Sequence, residues 1–273
     1  MKMDRDKFPK LIAVDLDGTL LTSDSKLAFQ GAQLLKAAAQ NGMHVVLASA
    51  RFPASVRSFC HLLGVNSPMI CMNGAEVYAS PEGPVLKSLS FPKKIGLEIA
   101  SMADTNGWEI SITVDSINYY RQRLGQTLGL LSEGRIVVAH CMDAITANPA
   151  RILTHDPEAI KAIGALIESK YYNSCCIDLY YNEDGSIFSL GIFPKGANKG
   201  AALDLILRHL RIDKSDVMAI GDNVNDIPMF ECAQISIAVS NATEQVKQMA
   251  TIVAPSNDEE GVAWALREFD IAS

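Results

Sequence analysis

The sequence predicts an α/β fold: a doubly wound, Rossmann-like parallel-sheet core carrying an inserted α+β cap. Three observations in its 273 residues lead there. Short apolar runs alternate with helical stripes in the outer thirds; the middle third has strands in adjacent pairs; and polar clusters directly follow strands of the outer thirds.

The elements of the first third follow in order. "LIAV" (11–14) is a short buried strand, and Leu27, Leu34, Leu35 and Ala38 recur at helical spacing until Asn41-Gly42 supplies a stop signal. "MHVVLAS" (43–49) reads as a second strand, "FPASVRSFCHLLG" (52–64) as a second helix, and "PMICMNGAEVY" (68–78) as a third strand followed by a turn.

The last third resumes this rhythm. Asn198 can cap a helix whose Leu203, Ile206, Leu207 and Leu210 fall at i, i+3, i+4 and i+7. "DVMAI" (216–220), "ISIAV" (235–239) and "TIVA" (251–254) are strands, with a short helix near 243–249 and a final helix through about Phe269. Residues 1–84 and 194–273 are thus expected to form one catalytic core.

Residues 85–193 read differently. "WEISITV", "INYYRQ", "RIVVAH", "IDLYYN" and "SIFSLGIF" are strands, and "NEDGS" (182–186) is a hairpin signal. Helical stripes at Ile95, Ile99, Met102 and Ala103, and at Ala159, Ile160, Ile163 and Ile167, supply their partners. This segment is expected to be an α+β insert in the α/β domain, forming a separate cap.

Composition narrows the function. A hydrophobic content of 48% suffices for about two domains. A net charge of -7 argues against a broad nucleic-acid or anionic-membrane footprint, so an anionic substrate needs a local cation cluster. The charged start "MKMDRDKFPK" lacks a signal-peptide pattern, and no run approaches the ~20 apolar residues of a membrane span. Six cysteines without C-x-x-C spacing read as free, mostly buried thiols of a cytoplasmic protein. The five histidines show no metal spacing. Oligomeric state has no signature.

Four polar constellations carry the chemistry: Asp15-Leu16-Asp17-Gly18-Thr19, Ser49-Ala50-Arg51, Lys199 in "KGANKG", and Gly221-Asp222-Asn223-Val224-Asn225-Asp226. Asp15 and Asp17 lie one residue apart after a buried strand, where like charges need a cation or a reaction to justify them. Open α/β sheets place ligands at the carboxyl ends of their strands. Taken singly, each residue also fits a plainer role: a solvated turn for Asp15 and Asp17, a helix cap for Ser49, a surface lysine at 199, loop and capping residues at 222 and 226. Lys199 at a helix start is unfavourable for a cation and so points to an anionic partner.

The set resembles the haloacid dehalogenase-like phosphatase superfamily, in particular its Cof-type branch with a large cap between the second and third motifs. "DLDGTLL" matches the first family motif, Ser49 the second, Lys199 the third and "GDNVND" the fourth, while "MNGA" (72–75) also resembles this branch. One departure is visible: Ser49-Ala50-Arg51 stands where the family commonly has Thr-Gly-Arg, and alanine loses glycine's backbone freedom.

The resemblance implies a Mg²⁺-dependent phosphatase acting on a small phosphorylated metabolite: a sugar phosphate, a nucleotide or a phosphorylated cofactor. It implies that Asp15 is the nucleophile, forming an aspartyl-phosphate, and that Asp17 is the acid-base. Ser49 and Lys199 would bear on the phosphoryl group. Mg²⁺ prefers oxygen ligands, here Asp15, Asp222 and the backbone carbonyl of Asp17, with Asp226 and Asn225 orienting. Gly18, Ala50, Arg51, Asn73, Gly74 and Asn225 are the expected substrate contacts. Two other readings stay open: a phosphomutase using the same aspartyl chemistry, and a phosphate-responsive receiver-like module. A receiver has no use for Asp17 or a cap.

Overall fold

A computed structural model describes residues 9–121, 135–181 and 185–271. Its elements in chain order are β1 (Leu11–Val14), α1 (Phe29–Gln40), β2 (His44–Ala48), α2 (Pro53–Leu63), β3 (Met69–Cys71), β4 (Glu76–Tyr78) and β5 (Val85–Ser88). There follow α3 (Lys93–Asn106), β6 (Ile110–Val114), β7 (Ile117–Arg121), β8 (Arg135–Val137), β9 (Pro149–Thr154), α4 (Pro157–Leu166), β10 (Cys175–Tyr181) and β11 (Ile187–Pro194). The last are α5 (Lys199–Leu210), β12 (Val217–Gly221), α6 (Ile227–Phe230), β13 (Ile235–Val239), α7 (Glu244–Met249), β14 (Ile252–Ala254) and α8 (Gly261–Glu268). The chain forms two compact units, one of Met1–Ala50, Val56–Leu86 and Asn198–Ser273, the other of Arg51–Ser55 and Lys87–Ala197.

The first unit is built on a sheet in the order β14-β13-β12-β1-β2-β3-β4-β5. From β14 to β3 all neighbours run parallel, and β4 reverses against β3. Apolar runs explain the centre: every residue of β1, β12 and β13 is buried, as strands covered on both faces require. One face packs Leu11, Ala13, Val46 and Ile70 against Ala202, Leu203, Ile206 and Leu207 of α5, the stripe expected from sequence. The chain winds outward through β2 and β3, then restarts at β12 on the other side of β1. The junction of β1 and β12 is therefore the topological switch point, where such sheets open a ligand crevice.

The stretch 68–78 differs from the expected single strand and turn. Met72, Asn73 and Gly74 have φ of 50°, 54° and 87°, so three successive left-handed residues reverse the chain and return it as β4. Such a conformation costs a non-glycine residue strain, and Met72 carries no sequence signal for it.

The second unit holds a sheet in the order β10-β11-β9-β6-β7-β8, antiparallel except for the β7–β8 pair. Ile95, Ile99 and Ala103 of α3 and Ile163 of α4 bury its other apolar face with Ile110, Ile112, Ile152, Leu190 and Ile192. Asp115 and Ser116, both at positive φ, join β6 to β7 in a two-residue hairpin whose twist suits the flanking strands. The hairpin expected at 182–186 falls on residues 182–184, outside the described residues, as do the first eight residues. No helix of the described residues is long and apolar enough to cross a membrane.

Gly74 provides a test of the loop that carries Asn73. A Cβ there would lie 2.4 Å from the Asn198 carbonyl oxygen and 2.9 Å from Ala202 Cβ, at a φ that alanine resists. Gly74→Ala should destabilise the protein by about 1–3 kcal/mol in urea unfolding. An unchanged midpoint would show that the loop does not depend on this approach.

Candidate active site

Parallel strands deliver the site residues to one edge of the first unit's sheet. Val14 pairs with Ile220 on one side and with Leu47 on the other, so Asp15, Ser49 and Asp222 all follow strand ends at similar height. The backbone continues the register: Asp15 N donates to the Ile220 carbonyl, Ser49 N to that of Ile70, and Asn73 N to that of Ser49. Lys199 enters from the first turn of α5, whose end is capped by Asn198 Oδ1 accepting from Ala201 N at 2.8 Å.

The centre is a buried ion cluster. Lys199 Nζ lies 2.6 Å from Asp15 Oδ1 and 2.7 Å from Asp226 Oδ1, and all three side chains are at least nine-tenths buried. Asp226 Oδ2 accepts from the backbone amides of Asp222 and Asn223 at 3.0 and 3.1 Å, so this carboxylate holds both the lysine and the loop. Thr19 Oγ1 donates to Asp222 Oδ1 at 2.8 Å. Thr19 belongs to the first motif, yet its spacing alone does not reveal this partner 203 residues away. Asp17, in contrast, is exposed.

Charge balance in this cluster is incomplete. Burial raises Asp15 well above the usual carboxylate range; Lys199 opposes this, while Asp226, Asp222 and Asp17 add to it. Burial, followed by the neighbouring Asp226, pushes Asp222 up to about 7. Burial alone would lower Lys199, but its two carboxylates outweigh that and hold its ammonium above the usual lysine value. One ammonium thus faces three carboxylates, and a further cation would relieve the excess.

The donor set fits such a cation. Oxygen atoms of Asp15, Asp222 and Asp226 lie within 4.8 Å of one another. Asn225 donates through Nδ2 to Asn73 Oδ1 at 3.1 Å and leaves its own Oδ1 buried without a hydrogen-bond donor. An all-oxygen set is the environment of a hard ion such as Mg²⁺.

The glycines and the Ser49 loop refine the expectations from sequence. A Cβ on Gly18, at φ +77°, would lie 2.5 Å from Asp222 Oδ2, so glycine is required where the first motif meets the fourth. Ala50 is not among the described residues with positive φ, so its backbone asks for no glycine. Arg51 donates from Nη1 to Ser55 Oγ at 3.4 Å. Asn241 belongs to none of the sequence motifs, and its Nδ2 donates to the Gly18 carbonyl at 2.8 Å.

Two measurements test the cluster. Lys199→Met removes the ammonium between Asp15 and Asp226 and should cost about 3–5 kcal/mol of stability, because breaking a buried pair leaves carboxylates uncompensated; a loss under about 1 kcal/mol would mean the carboxylates simply protonate. The second measurement is thermal unfolding against pH. The raised Asp222 keeps its proton in the folded state up to about 7, whereas the unfolded chain releases it near 3.8, as an ordinary aspartate does. The folded state therefore binds more protons between these values, and stability in chelator should fall as pH rises through that window. Added Mg²⁺ should stabilise the protein more at pH 8 than at pH 5, where it must displace the proton. Equal stabilisation at both values would place the ion elsewhere.

Comparison with known proteins shows which family the chain resembles in sequence and fold. The family model of haloacid dehalogenase-like hydrolases matches residues 12–266. The chain is 28% identical to the phosphatase YwpJ of Bacillus subtilis over 292 residues, covering 94% of this chain and 99% of that protein. It is 26% identical to the 5-amino-6-(5-phospho-D-ribitylamino)uracil phosphatase YcsE of the same organism, covering 95% of each. A crystal structure of a haloacid dehalogenase-like hydrolase from Bacteroides thetaiotaomicron superimposes with a TM-score of 0.80 at 23% identity, over 96% of this chain and 99% of that one. With its carboxylates gathered at the switch point and the family model spanning both units, the chain belongs to the haloacid dehalogenase-like hydrolases.

Proposed function

We propose that this protein is a Mg²⁺-dependent phosphatase that hydrolyses small phosphorylated metabolites through an aspartyl-phosphate on Asp15. The observation that carries the reading is the Asp15 carboxylate, buried at the end of β1 and paired with Lys199 at 2.6 Å. A phosphate monoester resists hydrolysis because its own charge repels nucleophiles, so catalysis must neutralise charge and align an attacking oxygen.

Asp15 supplies that oxygen, and Lys199 holds its side chain and offsets negative charge. Mg²⁺, held by Asp15, Asp222 and the main-chain carbonyl of Asp17, would screen the carboxylates from the phosphoryl group. Asp226 fixes Lys199 and the loop of Asp222. Ser49, Asn73 and Asn225 offer polar contacts, and Ala50, Arg51, Gly18 and Gly74 shape the loops beside them. Asp17, exposed two residues after the nucleophile, gives a proton to the departing oxygen and later takes one from water.

The substrate class rests on the relatives. YcsE is named for a phosphorylated ribitylamino-uracil, a small metabolite ester. A sugar phosphate, nucleotide or phosphorylated cofactor is the corresponding class here, and we assign the second unit to reading its organic part. Six free cysteines suit a reducing, cytoplasmic setting.

Asp15→Asn is near-isosteric and should leave a folded protein with phosphate release lowered by at least about 10³-fold, as expected when a covalent nucleophile is lost. The assay is a panel of phosphorylated metabolites with Mg²⁺ and with chelator, scored for free phosphate and for isomeric esters. Turnover by Asp15→Asn would make water the attacking group, and isomeric products from the unaltered protein would make it a mutase.

A further inference from the structure

The turn that carries Asp17 is gripped by a distant segment of the chain. Within it, Asp17 (φ -76°, ψ 121°) and Gly18 (φ 77°, ψ 0°) depart from helical geometry, and the turn closes through Leu20 N to the Asp15 carbonyl at 3.3 Å and Leu21 N to that of Leu16 at 2.8 Å. Asp15 is fixed by the sheet. The peptide after Asp17 includes a glycine, the residue with the softest backbone, so outside contacts bear on where that part of the chain sits.

Residues 241–260 act on the same stretch at four successive points. Asn241 Nδ2 donates to the Gly18 carbonyl at 2.8 Å, and Asn257 Nδ2 donates to the Leu21 carbonyl at 2.8 Å. The two asparagines are joined, Asn257 N donating to Asn241 Oδ1 at 3.0 Å. Asp258 accepts from the amide and hydroxyl of Ser23, and Glu260 accepts from Gln30 N and Gly31 N at 3.0 and 2.9 Å. Helix α1 has no side-chain cap at Ala28, so Glu260 serves its open amides from across the chain. A capping box between Ser256 and Glu259 shapes the gripping segment itself.

We propose that Asn241 and Asn257 are positioning residues for Asp17: they fix the carbonyls of Gly18 and Leu21 and thereby aim the acid-base toward the leaving group. The inference rests on the phosphatase reading, in which Asp17 is the group that gives the leaving oxygen its proton. Asn241 is exposed, so its bond adds little to the core, and its use lies in orientation.

Asn241→Asp separates the two bonds of this residue. It keeps an oxygen for Asn257 N and loses the donor to Gly18. Single-turnover phosphorylation should fall between about tenfold and 10²-fold for an alkyl phosphate, the range expected for a misplaced group. With p-nitrophenyl phosphate, whose leaving oxygen needs no proton, it should change by less than about twofold. Asp17→Asn should give the same asymmetry, and Asn241→Ala should match Asn241→Asp. Amide exchange at Leu20 and Leu21 should quicken in both Asn241 variants. Equal losses with both esters, or no loss, would overturn the proposal by reducing the contact to a structural one. If the unaltered protein released no phosphate from any ester, the phosphatase reading would fall by itself; unchanged amide exchange in the variants would then overturn the grip as well.

Discussion

The structure of the site depends on one buried ammonium. Lys199 sits between Asp15 and Asp226 with almost no solvent contact, and without it their buried charges would stand uncompensated. Its place at the first turn of α5 sets it against the positive end of that helix, so the carboxylates are needed by the lysine as much as the lysine by them. Closely packed backbone brings this about. A Cβ on Gly200 would lie 2.1 Å from the Pro228 carbonyl oxygen, and one on Gly221 would lie 2.5 Å from Asp226 Cγ. Both glycines let α5 and the loop after β12 approach until the ammonium and the carboxylates meet.

Much of this was legible in the sequence, and particular residues show why. Leu11–Val14 and Ile235–Val239 form strands at the residues expected, because each is an apolar run bounded by polar residues. Asn198 caps α5 as its position implied. These are local signals. A turn was expected after the third strand, but its start at Met72 was not, because a methionine at positive φ has no sequence signature. Thr19 was visible as part of a motif, but its bond to Asp222 was not. Asn241 stood outside every motif: its partner at Gly18 is 223 residues away, and no spacing rule spans that distance.

The two units also differ in how their sequences disclose them. The central strands of the first are buried on both faces and read as continuous apolar runs. In the second, β10 is half-buried from Cys176 to Tyr180, and Cys176, Asp178 and Tyr180 alternate with Ile177 and Leu179, which pack on the helix-covered side. Cys175 and Cys176 illustrate the alternation, the first buried and the second half-buried. Burial raises the Cys175 thiol to about 12 and that of Cys176 to about 11, which keeps both as inert packing groups.

The central strand has a further consequence for how the molecule comes into being. β1 is made before every other strand of its sheet, yet one of its two neighbours, β12, follows it by about two hundred residues. Until β12 emerges from the ribosome, β1 presents an apolar edge with open hydrogen-bonding groups, the kind of surface that recruits other chains. The carboxylates of the site cannot meet before that edge closes, since Asp15 and Asp222 follow the two strands that seal it. Closure over so long a loop is slow relative to local hairpins. Protection of the nascent chain and assembly of the site are thus one late event, and a ribosome stalled within the second unit would leave the first with an open edge and no activity.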